Sequence, residues 1–159
     1  EFYTEEDIKK IIKRSAEILG VSIQGEAITE IAKRSRFTPR TANFLLKRCR
    51  DFAQVQKGEL DEVSAKKALC LLEIDEIGLN SSDRKIMETI IEKFSGGPVG
   101  LKTVAAAISE EENTIEEVNE PYLMQLGLLE RTPRGRLATN RAYRHLGYDL
   151  PKDRQEKLL

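Results

Sequence analysis

The sequence predicts a mainly α-helical chain in two parts: a small bundle of four helices, then three helices followed by a two-stranded hairpin. Three observations carry this. Apolar residues recur at helical spacing through four short segments of the first half. A capping residue, a glycine or a proline bounds most of those segments. In the second half, a Thr-Pro-Arg-Gly turn separates two short runs of strand length.

The first helix opens at Thr4, with Asp7 in the acidic place of a capping box. It sets Ile8, Ile11, Ile12, Ala16 and Leu19 on one face and stops at Gly20. A second helix, Glu26–Ser35, turns Ala27, Ile28, Ile31 and Ala32 inward. The third runs from Arg40 to about Gln54. Thr38 is its N-cap, Pro39 sits where a missing N–H is harmless, and Ala42, Leu45, Leu46, Cys49 and Ala53 form its apolar face. After a turn at Lys57-Gly58, Asp61 caps a fourth helix through Val63, Ala65, Ala68, Leu69 and Leu72. Residues 1–73 therefore read as one small bundle.

At 74–82 (IDEIGLNSS) the pattern lapses into a linker. Helix Asp83–Phe94 then turns Ile86, Ile90 and Ile91 inward, Ser95-Gly96-Gly97-Pro98 breaks it, and Val99-Gly100-Leu101 reads as a brief strand. Helices Lys102–Ile108 and Thr114–Leu126 follow, separated by an acidic turn and closed by Gly127. Strands Leu128–Arg131 and Arg136–Thr139 flank the hairpin turn, and a last helix covers Asn140–His145. Residues 83–148 thus have the order of a winged helix, a helix-turn-helix variant. The tail, 149–159, is polar and expected to be loose.

The 159 residues are 40% hydrophobic and 33% charged with a net charge of −1, which fits a soluble globular chain. A near-neutral average leaves polyanion binding to be decided by where the charges lie. No apolar run approaches the roughly 20 residues of a membrane span, and no signal segment is present, so the reading is a cytoplasmic protein. Cys49 and Cys70 sit alone in helical patterns and read as reduced core thiols. The chain opens on Glu1, without methionine, and is expected to be a piece of a longer protein.

In a generic winged helix the second helix of the turn motif enters the major groove. Here that helix and its approach carry Glu110, Glu111, Glu112, Glu116, Glu117 and Glu120, with no Lys or Arg among them. Duplex DNA carries a negative charge every 1.7 Å or so of its axis and would be repelled. The hairpin and last helix carry Arg131, Arg134, Arg136, Arg141 and Arg144 against the single acid Glu130, so any DNA contact belongs to the wing. The hairpin holds no Asn or Gln to read adenine, and arginines on a tight turn suit phosphates. The other reading is a solvated surface with local salt bridges.

Arg40 stands at the second position of the third helix, where it opposes the helix dipole and calls for an anionic partner. A phosphate fits the guanidinium; so would a nearby acid such as Asp51 or Glu30. His145 has no neighbouring nucleophile in sequence and reads as a helix-surface residue.

Four stretches resemble the C-terminal part of the RuvB family of bacterial branch-migration motors. They are FYTEED at Phe2–Asp7, RSRFTPRTANFLLKRCRDFA at Arg34–Ala53, DRKIMETIIEKFSGGPVGLKTVAAAI at Asp83–Ile108 and EPYLMQLGLLERTPRGRLATNRAYRHLG at Glu120–Gly147. The resemblance implies a hexameric AAA+ ATPase with a nucleotide-binding domain, a helical lid and a winged-helix domain, acting on Holliday junctions in recombination and repair. RuvA, and RuvC in the full complex, would be its partners. Residues 1–73 would be the lid and 83–148 the winged helix. The resemblance makes Arg40 the second sensor arginine, directed at the phosphates of ATP or ADP with Mg2+, and Tyr3 a nucleotide-contacting tyrosine at the start of the lid. It makes Arg131 and Arg136 DNA contacts, with Arg134 a third. The chain has no G-x-x-x-x-G-K-[ST] loop, so the expectation is that it hydrolyses no ATP by itself.

Two departures stand out. Phe37 replaces the glycine that usually precedes Thr-Pro-Arg, and would be strained if the position needs positive φ. Glu112 stands where the family often has arginine, so no DNA contact carries over there. Other readings are another AAA+ protein such as a replication initiator, a winged-helix transcription regulator, and a protein-interaction module without DNA contact.

Overall fold

The computed structural model describes residues 3–151. The chain divides into two compact units, Glu1–Asn80 and Ser81–Leu159. Apart from Asp149, Leu150 and Pro151, the expected loose tail lies outside the described residues.

Unit 1 contains α1 (Glu5–Leu19), α2 (Gly25–Lys33), α3 (Pro39–Val55) and α4 (Glu62–Leu71). Side-chain caps set the starts of α1, α3 and α4. The Thr4 hydroxyl accepts from Asp7 N at 3.2 Å while Thr4 N donates to Asp7 Oδ2 at 3.1 Å, completing the capping box. Thr38 Oγ1 accepts from Thr41 N at 3.3 Å at the head of α3, and Asp61 Oδ1 from Ser64 N at 2.8 Å at the head of α4. Gly20, with φ at 64°, ends α1 in the left-handed conformation expected of a glycine cap.

The core joins Ile8, Ile12 and Ala16 of α1, Ala27, Ile31 and Ala32 of α2, Ala42, Leu45, Leu46, Cys49 and Ala53 of α3, and Ala65, Ala68 and Leu69 of α4. Each large apolar side chain fully buried here contributes roughly 1.5–3 kcal/mol. Burial pushes the Cys49 thiol up to about 12, so it is protonated at neutral pH.

Three expected core positions are corrected. Leu19, Val63 and Cys70 are exposed. Leu19 is the last residue of α1, Val63 lies in the first turn of α4, and Cys70 is one step past the buried Ala68–Leu69 face, a rotation of about 100°. Both thiols are free.

The 74–82 stretch is an ordered turn followed by helix. Asp75 Oδ1 accepts from Ile77 N at 3.0 Å and Leu79 N at 2.8 Å, and Asp75 N donates to Leu79 O at 3.0 Å. Ser81 already begins the next helix.

Unit 2 runs α5 (Ser81–Phe94), α6 (Leu101–Ile108), α7 (Glu112–Thr114), a π-helical stretch (Ile115–Asn119), α8 (Glu120–Gln125), β1 (Leu129–Thr132), β2 (Gly135–Ala138) and α9 (Asn140–Leu146). The strands pair antiparallel with Leu129 opposite Ala138, Glu130 opposite Leu137, Arg131 opposite Arg136 and Thr132 opposite Gly135. The brief strand expected at 99–101 reduces to one residue: Val99 exchanges hydrogen bonds with Arg136, N to O at 3.0 Å and O from N at 2.7 Å.

Glycine makes that approach possible. A Cβ on Gly97 would sit 2.3 Å from the Arg136 carbonyl oxygen, and one on Gly135 would sit 2.4 Å from that of Val99. A single helix was expected over 114–126; the structure has α, π and α in succession. Pro121 explains the change, because it has no N–H to give to the carbonyl of Glu117 and its ring crowds that oxygen. No helix among the described residues is long and apolar enough to cross a membrane.

Candidate functional site

Alternation along the hairpin decides where its arginines point. Leu129 and Ala138 are buried cross-strand partners, and residues two apart on a strand share a face. Arg131 and Arg136 therefore lie on that same face, directly opposite each other. Two like charges so placed repel. Two carboxylates from the segment packed on β1 offset the repulsion.

Glu120 is 2% exposed and accepts from Arg136 Nε at 2.6 Å and Nη2 at 3.2 Å. Glu116 accepts from Arg131 Nη2. Crossed approaches, 3.8 Å from Arg136 to Glu116 and 4.0 Å from Arg131 to Glu120, close the network. The Glu120 hydrogen bonds raise the Arg136 guanidinium above its ordinary value, with burial acting in the opposite direction. The two pairs differ in access. The Arg136 and Glu120 side chains are 13% and 2% exposed, those of Arg131 and Glu116 48% and 39%.

The π-helical stretch holds this segment in place. Asn119 is buried within it and its Nδ2 donates to Oδ1 of buried Asp83 at 2.7 Å, tying the segment to the first turn of α5.

At the wing tip, Pro133 and Arg134 form a two-residue loop between the paired Thr132 and Gly135. Thr132 Oγ1 donates to Gly135 O at 2.8 Å and accepts from Arg134 N at 3.3 Å. The Arg134 side chain is exposed and makes no ion pair among the described residues.

In unit 1, Arg40 is exposed and likewise unpaired among the described residues. The two acids within its sequence neighbourhood are engaged elsewhere. Glu30 binds Arg34 at 2.9 Å, and Asp51 binds Arg50 at 2.7 Å. The first turn of α3 has no acidic residue. Just before it, Arg36 and Phe37 have φ of 56° and 53°. Left-handed backbone at a residue with a Cβ costs roughly 1–2 kcal/mol, so the strain anticipated at Phe37 is present. Tyr3 is 48% exposed, immediately before the Thr4 cap. His145 is half-buried in the last turn of α9.

Of the residues singled out in the sequence, the structure brings Arg131 and Arg136 together, places Arg134 at the turn between them, and carries Arg40 and Tyr3 on the other unit. Sequence reading missed Glu116 and Glu120 as partners of the wing. The signal was there: two arginines in register on a core-facing side demand countercharge.

Residues 3–75 match the RuvB AAA lid domain, and residues 76–147 match the RuvB C-terminal winged helix domain. The chain belongs to the RuvB family. It is 56% identical over 154 residues to the Holliday junction branch migration complex subunit RuvB of Limosilactobacillus reuteri, a match covering 96% of this chain and 46% of that protein. The RuvB subunit of Chloroflexus aggregans is 55% identical over 152 residues, covering 95% and 43%. Among solved structures, the Thermotoga maritima RuvB Holliday junction branch migration motor superposes with a TM-score of 0.92 at 49% identity, over 95% of this chain and 51% of that one. This chain thus spans about half the length of the RuvB proteins it matches.

Proposed function

We propose that this chain is the nucleotide-sensing and DNA-gripping part of an ATP-driven motor that moves Holliday junction branch points. One observation carries the reading: Arg40 on unit 1 and Arg134 on unit 2 are exposed cations without an ion pair among the described residues. Each is free to take a phosphate, one from fuel and one from a DNA backbone. The RuvB relatives, described as branch migration complex subunits, supply the substrate class.

In this reading Arg40 pairs with the phosphates of ATP or ADP held by the parent's nucleotide-binding domain, and Tyr3 packs on the nucleotide. Loss of the γ-phosphate removes the contact favouring one setting of unit 1, and unit 2 follows through the chain connection at 74–82. Arg134 at the tip and Arg131 beside it meet backbone phosphates, which lets each step work on any sequence. Arg136, largely buried on Glu120, contributes chiefly by holding the hairpin to its helix.

In this reading Mg2+ belongs with the parent's nucleotide-binding domain, and this chain, whose sequence has no G-x-x-x-x-G-K-[ST] loop, is expected to hydrolyse no ATP by itself. A ring of six parent copies working with RuvA and RuvC completes the proposal.

The test uses the full-length parent. Arg40→Ala should lower its ATP turnover at least about tenfold, while leaving the melting temperature of this chain unchanged, since Arg40 makes no ion pair among the described residues. Normal turnover in that variant would remove the sensor role.

A further inference from the structure

The countercharge system of the wing has two unequal halves, one buried and one exposed. Buried Glu120 holds Arg136 through two hydrogen bonds. That pair is a fixture. Glu116 and Arg131, both substantially exposed, form the outer half of the same network. A phosphate that takes Arg131 through Nη2 competes with the Glu116 carboxylate, which presents the same charge and a similar pair of oxygens.

We propose that Glu116 is an intramolecular competitor for DNA phosphate at Arg131, kept in position by Arg136–Glu120. This rests on the reading of the wing as the DNA surface. Two features of the geometry support it. Glu116 and Glu120 are four residues apart across a π-helical stretch, and both reach the hairpin. Glu116 also lies within 3.8 Å of Arg136, so a carboxylate leaving Arg131 stays within the network. A built-in competitor lowers the affinity of each hold and speeds its release. A translocating grip needs both, because it must let go at every step. Glu116 acts through Arg131 and is a positioning residue of the grip.

The experiment is a fluorescence-anisotropy titration of a labelled duplex at low salt with the 159-residue chain. It compares wild type, Glu116→Gln, Arg131→Ala and the double variant. Glu117→Gln serves as the charge control, since Glu117 is exposed and outside the network. Glu116→Gln should tighten binding roughly threefold more than the control does. That extra gain should vanish in the Arg131→Ala background, where there is nothing left to release. A gain equal to that of Glu117→Gln, or one that persists without Arg131, would overturn the competitor role and leave the wing as DNA surface intact. Wild-type chain that binds no duplex, or binding unaffected by Arg131→Ala and by Arg134→Ala alike, would overturn the DNA reading and the competitor together.

Discussion

Arg136 and Glu120 leave water together. Removing one partner of such a pair strands the other in a low-dielectric site, at a cost of about 3–5 kcal/mol, whereas an exposed unpaired side chain lost from the surface changes stability by about 0.5 kcal/mol or less. Arg136→Ala should therefore destabilise unit 2 by about 3 kcal/mol in urea unfolding followed by circular dichroism, with Arg134→Ala near zero. Equal effects would mean that the buried pair carries no structural share. The same contrast separates two wing arginines that look alike in the sequence. The string RTPRGR fixes their spacing and the turn chemistry of Pro133 and Gly135. It does not name the partners of Arg131 and Arg136, which lie 15 and 16 residues away in sequence on other elements.

At the scale of the element, the caps of unit 1 were legible because they are local. Thr4 with Asp7, Thr38 with Pro39, and Asp61 each act within four residues, and each stands where the pattern places it. The α–π–α break was not legible as a break. Its cause, Pro121, is a local residue, but its consequence depends on Asn119 finding Asp83 far away in the chain.

The caps carry a pH signature. The Asp7 carboxyl is held below its ordinary value chiefly by the Thr4 hydroxyl, and that of Asp61 chiefly by the Ser64 backbone N–H. A carboxyl depressed in the folded state contributes stability that is complete above its unfolded value of 3.8 and is lost as the pH falls through its lower folded value. Thermal melts of the chain should hold steady above about pH 5 and decline below the unfolded value. Asp61→Asn keeps a capping oxygen without the titration, so its acid decline should be shallower than that of wild type. An equally steep decline would place the acid sensitivity elsewhere.

For the whole molecule, fold class and order of elements follow from periodicity and punctuation, and the two RuvB domain matches follow the same succession. Surface assignments made from charge counts fared less simply. The glutamates of 110–120, read as a surface that repels DNA, include the two that neutralise Arg131 and Arg136. A sum of charges over a segment cannot tell which are already paired. Arg40 shows the reverse: its possible acid partners in sequence turn out to be committed to Arg34 and Arg50, which leaves it available. In the proposed function, separate cationic groups of the chain meet fuel and track. The most direct test is the salt dependence of duplex binding by the 159-residue chain, compared among wild type, Arg134→Ala and Arg40→Ala. Arg134→Ala should reduce the log–log slope by about 0.9, the share of one phosphate contact, and Arg40→Ala should leave it unchanged. A slope unmoved by Arg134→Ala, or lowered equally by Arg40→Ala, would contradict that division.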